Sequence, residues 1–174
     1  MTLHEKLQKI KAIVLDIDGV LTNGMIGYGC GSSEEIKFFH VRDGCALRLA
    51  QRAGLKLGIL SGRTCKANES RAKDLEMDFL YFRVLEKGEG FRRLLEEQNL
   101  KAEECMYIGD DIVDARPMAM CGFAVAVGDA APELDRVADY RTKHNGGAGA
   151  VREAIELLLK EQGKWETLMK RYFD

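Results

Sequence analysis

The run Ile13-Val14-Leu15-Asp16-Ile17-Asp18-Gly19-Val20-Leu21-Thr22 constrains this chain more than any other stretch. Ile13, Val14 and Leu15 form a short apolar segment rich in β-branching, of the kind buried in a parallel sheet. Two aspartates at alternate positions follow it, where an open parallel sheet places its ligand crevice. Alternate residues of an extended chain point the same way, so both carboxylates can serve one centre if the strand runs on. Gly19 lets the chain turn away, leaving Asp16 and Asp18 at a mouth rather than in a core. Taken alone, Asp-x-Asp-Gly also fits a simple Asp-rich turn, so the rest of the chain has to decide.

At 174 residues, with 46% hydrophobic and 31% charged side chains, residues 1–174 read as one domain with a sizeable core. A formal net charge of −2 offers no footprint for nucleic acid or for an anionic membrane. The first eleven residues alternate charged and apolar side chains without an apolar signal core, and no run is long enough to span a bilayer. A cytoplasmic location is expected. Five scattered cysteines without a Cys-x-x-Cys pair predict free thiols, and His4, His40 and His144 lack metal-ligand spacing.

In chain order, residues 2–10 predict a short helix capped by Thr2, followed by a strand over residues 12–16. Residues 24–40 carry Gly24, Gly27, Gly29 and Gly31 and then a partial alternation through Glu35, Ile36, Lys37, Phe38 and Phe39. This predicts a β-hairpin turning near residues 30–33, with a loose glycine loop as the alternative. Asp43 is expected to cap a helix that Gly54 ends. Strands are expected at 55–60, 79–82, 105–108, 123–127 and 138–141, with helices at about 66–75, from about 86, and along Val151, Ala154, Ile155 and Leu158. This alternation predicts an α/β fold with a doubly wound, Rossmann-like parallel sheet and an inserted hairpin.

Three strand ends bear polar clusters: Asp16/Asp18, Ser61-Gly62-Arg63 and Asp110/Asp111/Asp114. Strand ends of a parallel sheet share one edge, so these clusters meet. Five carboxylates in one crevice repel unless a cation sits among them, and an all-oxygen set suits Mg²⁺. Carboxylates beside a hydroxyl and an arginine also match the needs of phosphoryl transfer.

The order Asp16-x-Asp18-Gly-Val-Leu-Thr22, Ser61-Gly62-Arg63, Lys87 and Gly-Asp110-Asp111-x-x-Asp114 resembles the haloacid dehalogenase-like phosphatase superfamily along the whole chain. The resemblance implies Asp16 as the nucleophile on phosphorus and Asp18 as the acid/base. It implies Ser61, Gly62 and Lys87 around the phosphate. Its metal set is Asp16, Asp18 through its backbone carbonyl, and Asp110, with Asp111 or Asp114 behind them. Local sequence alone reads Lys87 beside Glu86 as a solvated pair at a helix start.

Only about 20 residues lie between Thr22 and Asp43, and no long insertion follows the third sheet strand, so no cap domain is expected. Within the superfamily, Glu34-Glu35-x-Lys37-x-Phe39, Arg42-Asp43-Gly44, Ser61-Gly62-Arg63 and Gly146-Gly147-x-Gly149 resemble the capless 3-deoxy-octulosonate 8-phosphate phosphatases. That group implies a Mg²⁺-dependent release of phosphate in lipopolysaccharide biosynthesis by a homotetramer with shared active sites. It implies Thr22, Arg63 and Arg71 as substrate contacts, Arg71 toward a carboxylate; a plain surface arginine is the other reading of Arg71. Departures at Phe82-Arg83, Cys45 and Asp114-Ala115-Arg116-Pro117-Met118 leave the phosphotransfer set intact but put the exact sugar in question, a nine-carbon sugar acid phosphate being the alternative. A receiver-like, phospho-accepting domain is the non-enzymatic alternative, and it has no need of Asp18. Residues 163–174, with Trp165, Leu168, Met169 and Tyr172 on one helical face, are expected either to reach a neighbour's site or to dock on their own domain.

Overall fold

The structure is a computed structural model that describes residues 1–29 and 34–173. Its chain order is α1 (Leu3–Gln8), β1 (Ala12–Leu15), β2 (Gly27–Tyr28), β3 (Glu35–Ile36), α2 (Val41–Arg52), β4 (Lys56–Leu60), α3 (Lys66–Asp74) and β5 (Phe79–Tyr81). Then follow α4 (Lys87–Glu97), β6 (Cys105–Gly109), α5 (Ala115–Met120), β7 (Phe123–Ala126), β8 (Tyr140–Arg141), α6 (Ala150–Glu161) and α7 (Trp165–Phe173). Six strands form one sheet in the order β5-β4-β1-β6-β7-β8, every pair parallel.

β1, β6 and β7 are buried along their whole length, which is why their sequences are apolar without alternation. From β1 the chain winds outward through β4 to β5, then crosses back to β6 on the other side of β1. Right-handed crossovers in opposite directions place α2 and α3 on one face and α4 and α5 on the other. α6 packs against α2. The reversal falls between β1 and β6, which fixes the crevice at their C-terminal ends. Phe91 of α4 packs edge-on against Tyr107 of β6, their ring centres 5.8 Å apart, inside the core beneath that crevice.

Thr2 caps α1 reciprocally with Glu5, as expected. β2 and β3 pair antiparallel, Gly27 with Ile36 and Tyr28 with Glu35, as the inserted hairpin requires, while its expected turn lies outside the described residues. The expectation for Asp43 is corrected. α2 begins at Val41, so Asp43 lies inside its first turn, fully buried. Its carboxylate instead accepts the backbone N–H of Gly149 and of Arg152, at 3.2 and 2.8 Å, and caps α6. The reason is that α6 starts on Gly149, which has no side chain to cap with.

The short helix α5 was not expected; Pro117 stands in its first turn, where a missing N–H is tolerated. Among the described residues no helix is long and apolar enough to cross a membrane, and Cys45, Cys65, Cys105 and Cys121 are free. α7 lies against its own domain: Trp165, Leu168 and Met169 pack on the core, Tyr172 accepts a hydrogen bond from Arg52, and Lys164 bonds the Ala53 carbonyl.

Candidate active site

The C-terminal ends of β1, β4 and β6 and the start of α4 enclose a cleft of about 230 Å³ lined by Asp16, Asp18, Ser61, Lys87, Asp110 and Val113 among others. Gly62, Arg63 and Asp111 line it too. A larger depression of about 770 Å³, near Arg48, Arg52 and Asp78, sits at the opposite edge and gathers none of these carboxylates.

Asp16 ends β1 nearly buried, with Oδ1 accepting the N–H of Ile17 and Oδ2 lying 2.6 Å from Lys87 Nζ. Lys87, the first residue of α4, is buried and not solvated. Its Nζ also donates to Asp114 Oδ1 at 2.6 Å. Asp114 is saturated. Its Oδ1 takes the Tyr107 hydroxyl as well, at 2.7 Å, and its Oδ2 takes the N–H of Asp110 and of Asp111. Asp111 spends its own Oδ1 on the N–H of Ile112. Of the two aspartates expected behind the metal ligands, Asp114 is thus the one that braces the cleft.

Carboxylate oxygens of Asp16, Asp110 and Asp114 lie within 4.8 Å of one another. Such crowding has an electrostatic cost. Burial first, then the charge of Asp114, raises Asp16 to about 6, against the opposing pull of Lys87. Burial, then Asp114 and Asp16, raises Asp110 to about 8. Asp110 Oδ1 is also buried without a hydrogen-bond partner among the described residues. An all-oxygen cluster short of positive charge, with a free buried oxygen, fits a divalent cation at Asp16 and Asp110. Space for it depends on Gly19, whose φ is +92° and whose hypothetical Cβ would stand 1.9 Å from Asp110 Oδ2. Behind Gly19 lies Gly146, where a Cβ would meet the Gly19 carbonyl at 1.7 Å, so the late glycine loop backs the turn after β1.

Asp18 lines the cleft, but its carboxylate stands outside the three-aspartate cluster and turns to the hairpin, where Lys37 Nζ lies 2.5 Å from Oδ1. Ser61 is buried at the end of β4, its Oγ accepting the N–H of Arg63. Thr22 sits elsewhere: its buried hydroxyl braces the turn through Gly19, Gly24 and Ile17 and is used up there. Arg71 also lies outside the cleft, 5.5 Å over the Phe39 ring and close to Gly44. Two contributors went unread in the sequence, Tyr107 and the hold of Lys37 on Asp18. The only signal for Tyr107 was a hydroxyl inside an otherwise apolar strand.

A doubly wound sheet whose switch point gathers a lysine-paired aspartate, a second aspartate two residues on and a cation-binding pair defines a phosphoryl-transfer hydrolase. The haloacid dehalogenase-like hydrolase family matches residues 80–155. The chain is 42% identical over 159 residues to the 3-deoxy-D-manno-octulosonate 8-phosphate phosphatase of Escherichia coli K12, covering 91% of this chain and 84% of that one. The same-named enzyme of Moraxella catarrhalis, solved with magnesium, phosphate and a KDO molecule, superposes with TM-score 0.93 at 32% identity over 97% of both chains. The cobalt-bound Haemophilus influenzae enzyme gives 0.87 at 37% identity, over 91% of this chain and 92% of that one. The chain belongs to the 3-deoxy-D-manno-octulosonate 8-phosphate phosphatase family of haloacid dehalogenase-like hydrolases.

Proposed function

We propose that the protein is a Mg²⁺-dependent phosphomonoesterase that hydrolyses 3-deoxy-D-manno-octulosonate 8-phosphate to the free sugar acid and phosphate, in lipopolysaccharide biosynthesis. The observation that carries the reading is Asp16, buried at a strand end with its Oδ2 against Lys87, beside an Asp110 whose Oδ1 is buried with no hydrogen-bond partner among the described residues. The likeness to relatives of that name supports the substrate.

In this reading Asp16 attacks phosphorus, forming an acyl phosphate and breaking the bond to the sugar oxygen. Asp18 gives that oxygen a proton, then takes one from the water that attacks the acyl phosphate, which frees Asp16 and phosphate. Lys87 and Ser61 hold phosphate oxygens, and Gly62 leaves room for them at the end of β4. Asp16, Asp110 and the Asp18 carbonyl would hold Mg²⁺, which would supply positive charge against that building on the phosphoryl group. Asp114 and Asp111 lie behind, Asp114 fixing Lys87. Arg63 faces the sugar from the cleft rim, Thr22 keeps the turn in shape, and Arg71 serves a carboxylate across a subunit boundary.

The working form is a cytoplasmic homotetramer of one-domain chains, in which the hairpin closes neighbouring sites in place of a cap while α7 stays docked on its own domain. Exposed Tyr28, Ile36, Phe38 and Val41 on and beside the hairpin support an assembly, because monomers seldom leave such a patch in water. Light scattering should return about four times the 19.5 kDa of one chain; a single-chain mass overturns the assembly. The reaction is tested by phosphate release with Mg²⁺ over a panel of eight- and nine-carbon sugar acid phosphates. The octulosonate ester should give the highest kcat/KM, and failure on every ester rejects the reading.

A further inference from the structure

The reaction scheme gives no role to two charges beside the cleft, Lys37 and Glu35. Lys37, just past β3, has no exposed side-chain surface, and its Nζ lies 2.5 Å from Asp18 Oδ1 and 3.3 Å from Glu35 Oε2. Glu35 Oε1 accepts from Arg63 Nη2 at 2.5 Å, and Arg63 Nε stands 3.8 Å from Asp18 Oδ2. Asp18, Lys37, Glu35 and Arg63 therefore close a ring of alternating sign. Two members come from the hairpin and two from the ends of β1 and β4. Burial would raise the Glu35 carboxyl, but the bonds from Arg63 and Lys37 outweigh it and hold the group below its usual range.

A buried ammonium is costly in a place that needs only volume, since an apolar side chain of equal length would fill it without desolvation. What the charge secures is the orientation of one carboxylate. Lys37 occupies Oδ1 of Asp18, while Oδ2 is buried with no hydrogen-bond partner among the described residues, in a side chain that lines the cleft. Proton transfer needs the acid/base oxygen within hydrogen-bond reach of the reacting oxygen, and a shift of about 1 Å can cost ~10²-fold in rate.

We propose that Lys37 is a positioning residue for the proton-transferring aspartate. By tethering Oδ1 it presents Oδ2 first to the departing sugar oxygen and then to the attacking water, and Glu35 holds Lys37 in place through the ring. The proposal rests on the phosphatase reading above, and it gives the hairpin a duty inside its own chain.

The test compares Lys37→Met, Lys37→Arg and Glu35→Gln with the unaltered full-length protein in Mg²⁺. The substrates are p-nitrophenyl phosphate and an alkyl phosphate of a sugar acid. p-Nitrophenolate leaves without a proton, so acyl-phosphate formation from that ester needs little help from Asp18, whereas the second half-reaction still needs it. Lys37→Met should therefore keep the rate of the first-turnover release of p-nitrophenolate and lose about 10–100-fold in the steady state that follows. On the alkyl ester both half-reactions slow, so kcat should fall by at least as much. Lys37→Arg should recover part of the loss. Glu35→Gln should show the same split at smaller size, and it carries the test should Lys37→Met not fold.

Two results overturn the proposal: unchanged rates on both esters, or first-turnover and steady-state rates on p-nitrophenyl phosphate that fall together. Either makes Lys37 a packing residue. If the unaltered protein releases phosphate from no ester, it is the phosphatase reading that fails instead.

Discussion

The carboxylate of Asp43 accepts the backbone N–H of Arg152 at 2.8 Å, so a residue in the first turn of α2 closes the start of α6. Its other oxygen takes the N–H of Gly149, just after the glycines that pack behind the turn bearing Gly19. The same contact therefore joins two helices and steadies the back wall of the cleft. Asp43→Ala should destabilise the protein by about 1–2 kcal/mol, the usual value of a lost helix cap. At this chain length that is a fall in Tm of about 2–8 °C, checked by calorimetry. An unchanged Tm would show that α6 does not depend on the cap.

Asp16→Asn should remove phosphate release by at least ~10³-fold while leaving the fold intact, because nucleophile and acid/base fail as a unit. Chelation of divalent cations should do the same reversibly. Turnover that survives in either case would mean that Asp16 is not the attacking group.

Lys87 is the sole cation bonded to Asp16 and Asp114 among the described residues. Lys87→Met should lower kcat/KM by about 10²–10³-fold, the cost of removing one donor that stabilises developing charge. It also leaves three close carboxylates without that ammonium, a change of the kind that costs about 3–5 kcal/mol. Added Mg²⁺ should therefore raise the Tm of the variant more than that of the unaltered protein. Thermal unfolding with and without the ion reads this directly, and equal shifts would count against the cluster as the cation site.

Glu153 supplies the pH dependence. Burial alone would raise its carboxyl, but the N–H of Lys143, the Tyr140 hydroxyl and His144 bring it from 4.5 down to about 2. Because its folded value is depressed, the stability it adds is complete above about pH 4.5 and disappears as the pH falls toward about 2. Glu153→Gln should cost about 1–2 kcal/mol at neutral pH, the shift being discounted for solvent screening. The difference from the unaltered protein should close across that acid window, as denaturant midpoints at stepped pH would show. A gap that stays constant down to pH 2 would assign the effect to packing.

Much of this site is legible in the linear chain because it obeys a rule of place. Asp16, Asp18, Ser61 and Asp110 stand just past apolar runs that are buried on both faces, so recognising the strands already puts those residues on one edge. Lys87 is different. Nothing around it in sequence separates a buried ammonium from a solvated one, because its burial comes from Asp16 and Asp114, each 27 or more positions away. Asp43 was misread for the same reason. A cap looks local, but the N–H groups it accepts lie 106 and 109 residues further on. Tyr107 and Lys37 also act through partners that meet them only after folding. What stayed hidden was therefore the bracing, since bracing is made by tertiary contacts alone.

Gly19 bears on how this protein can vary. A side chain there would suffer backbone strain of about 1–2 kcal/mol, which a protein stable by 5–15 kcal/mol survives. The same side chain would occupy the space of the Asp110 carboxylate. Inherited change at this position should thus give a chain that is synthesised, folds and persists, yet has lost its chemistry. A screen for melting or abundance would pass such an allele as harmless, and only a measurement of turnover would expose it.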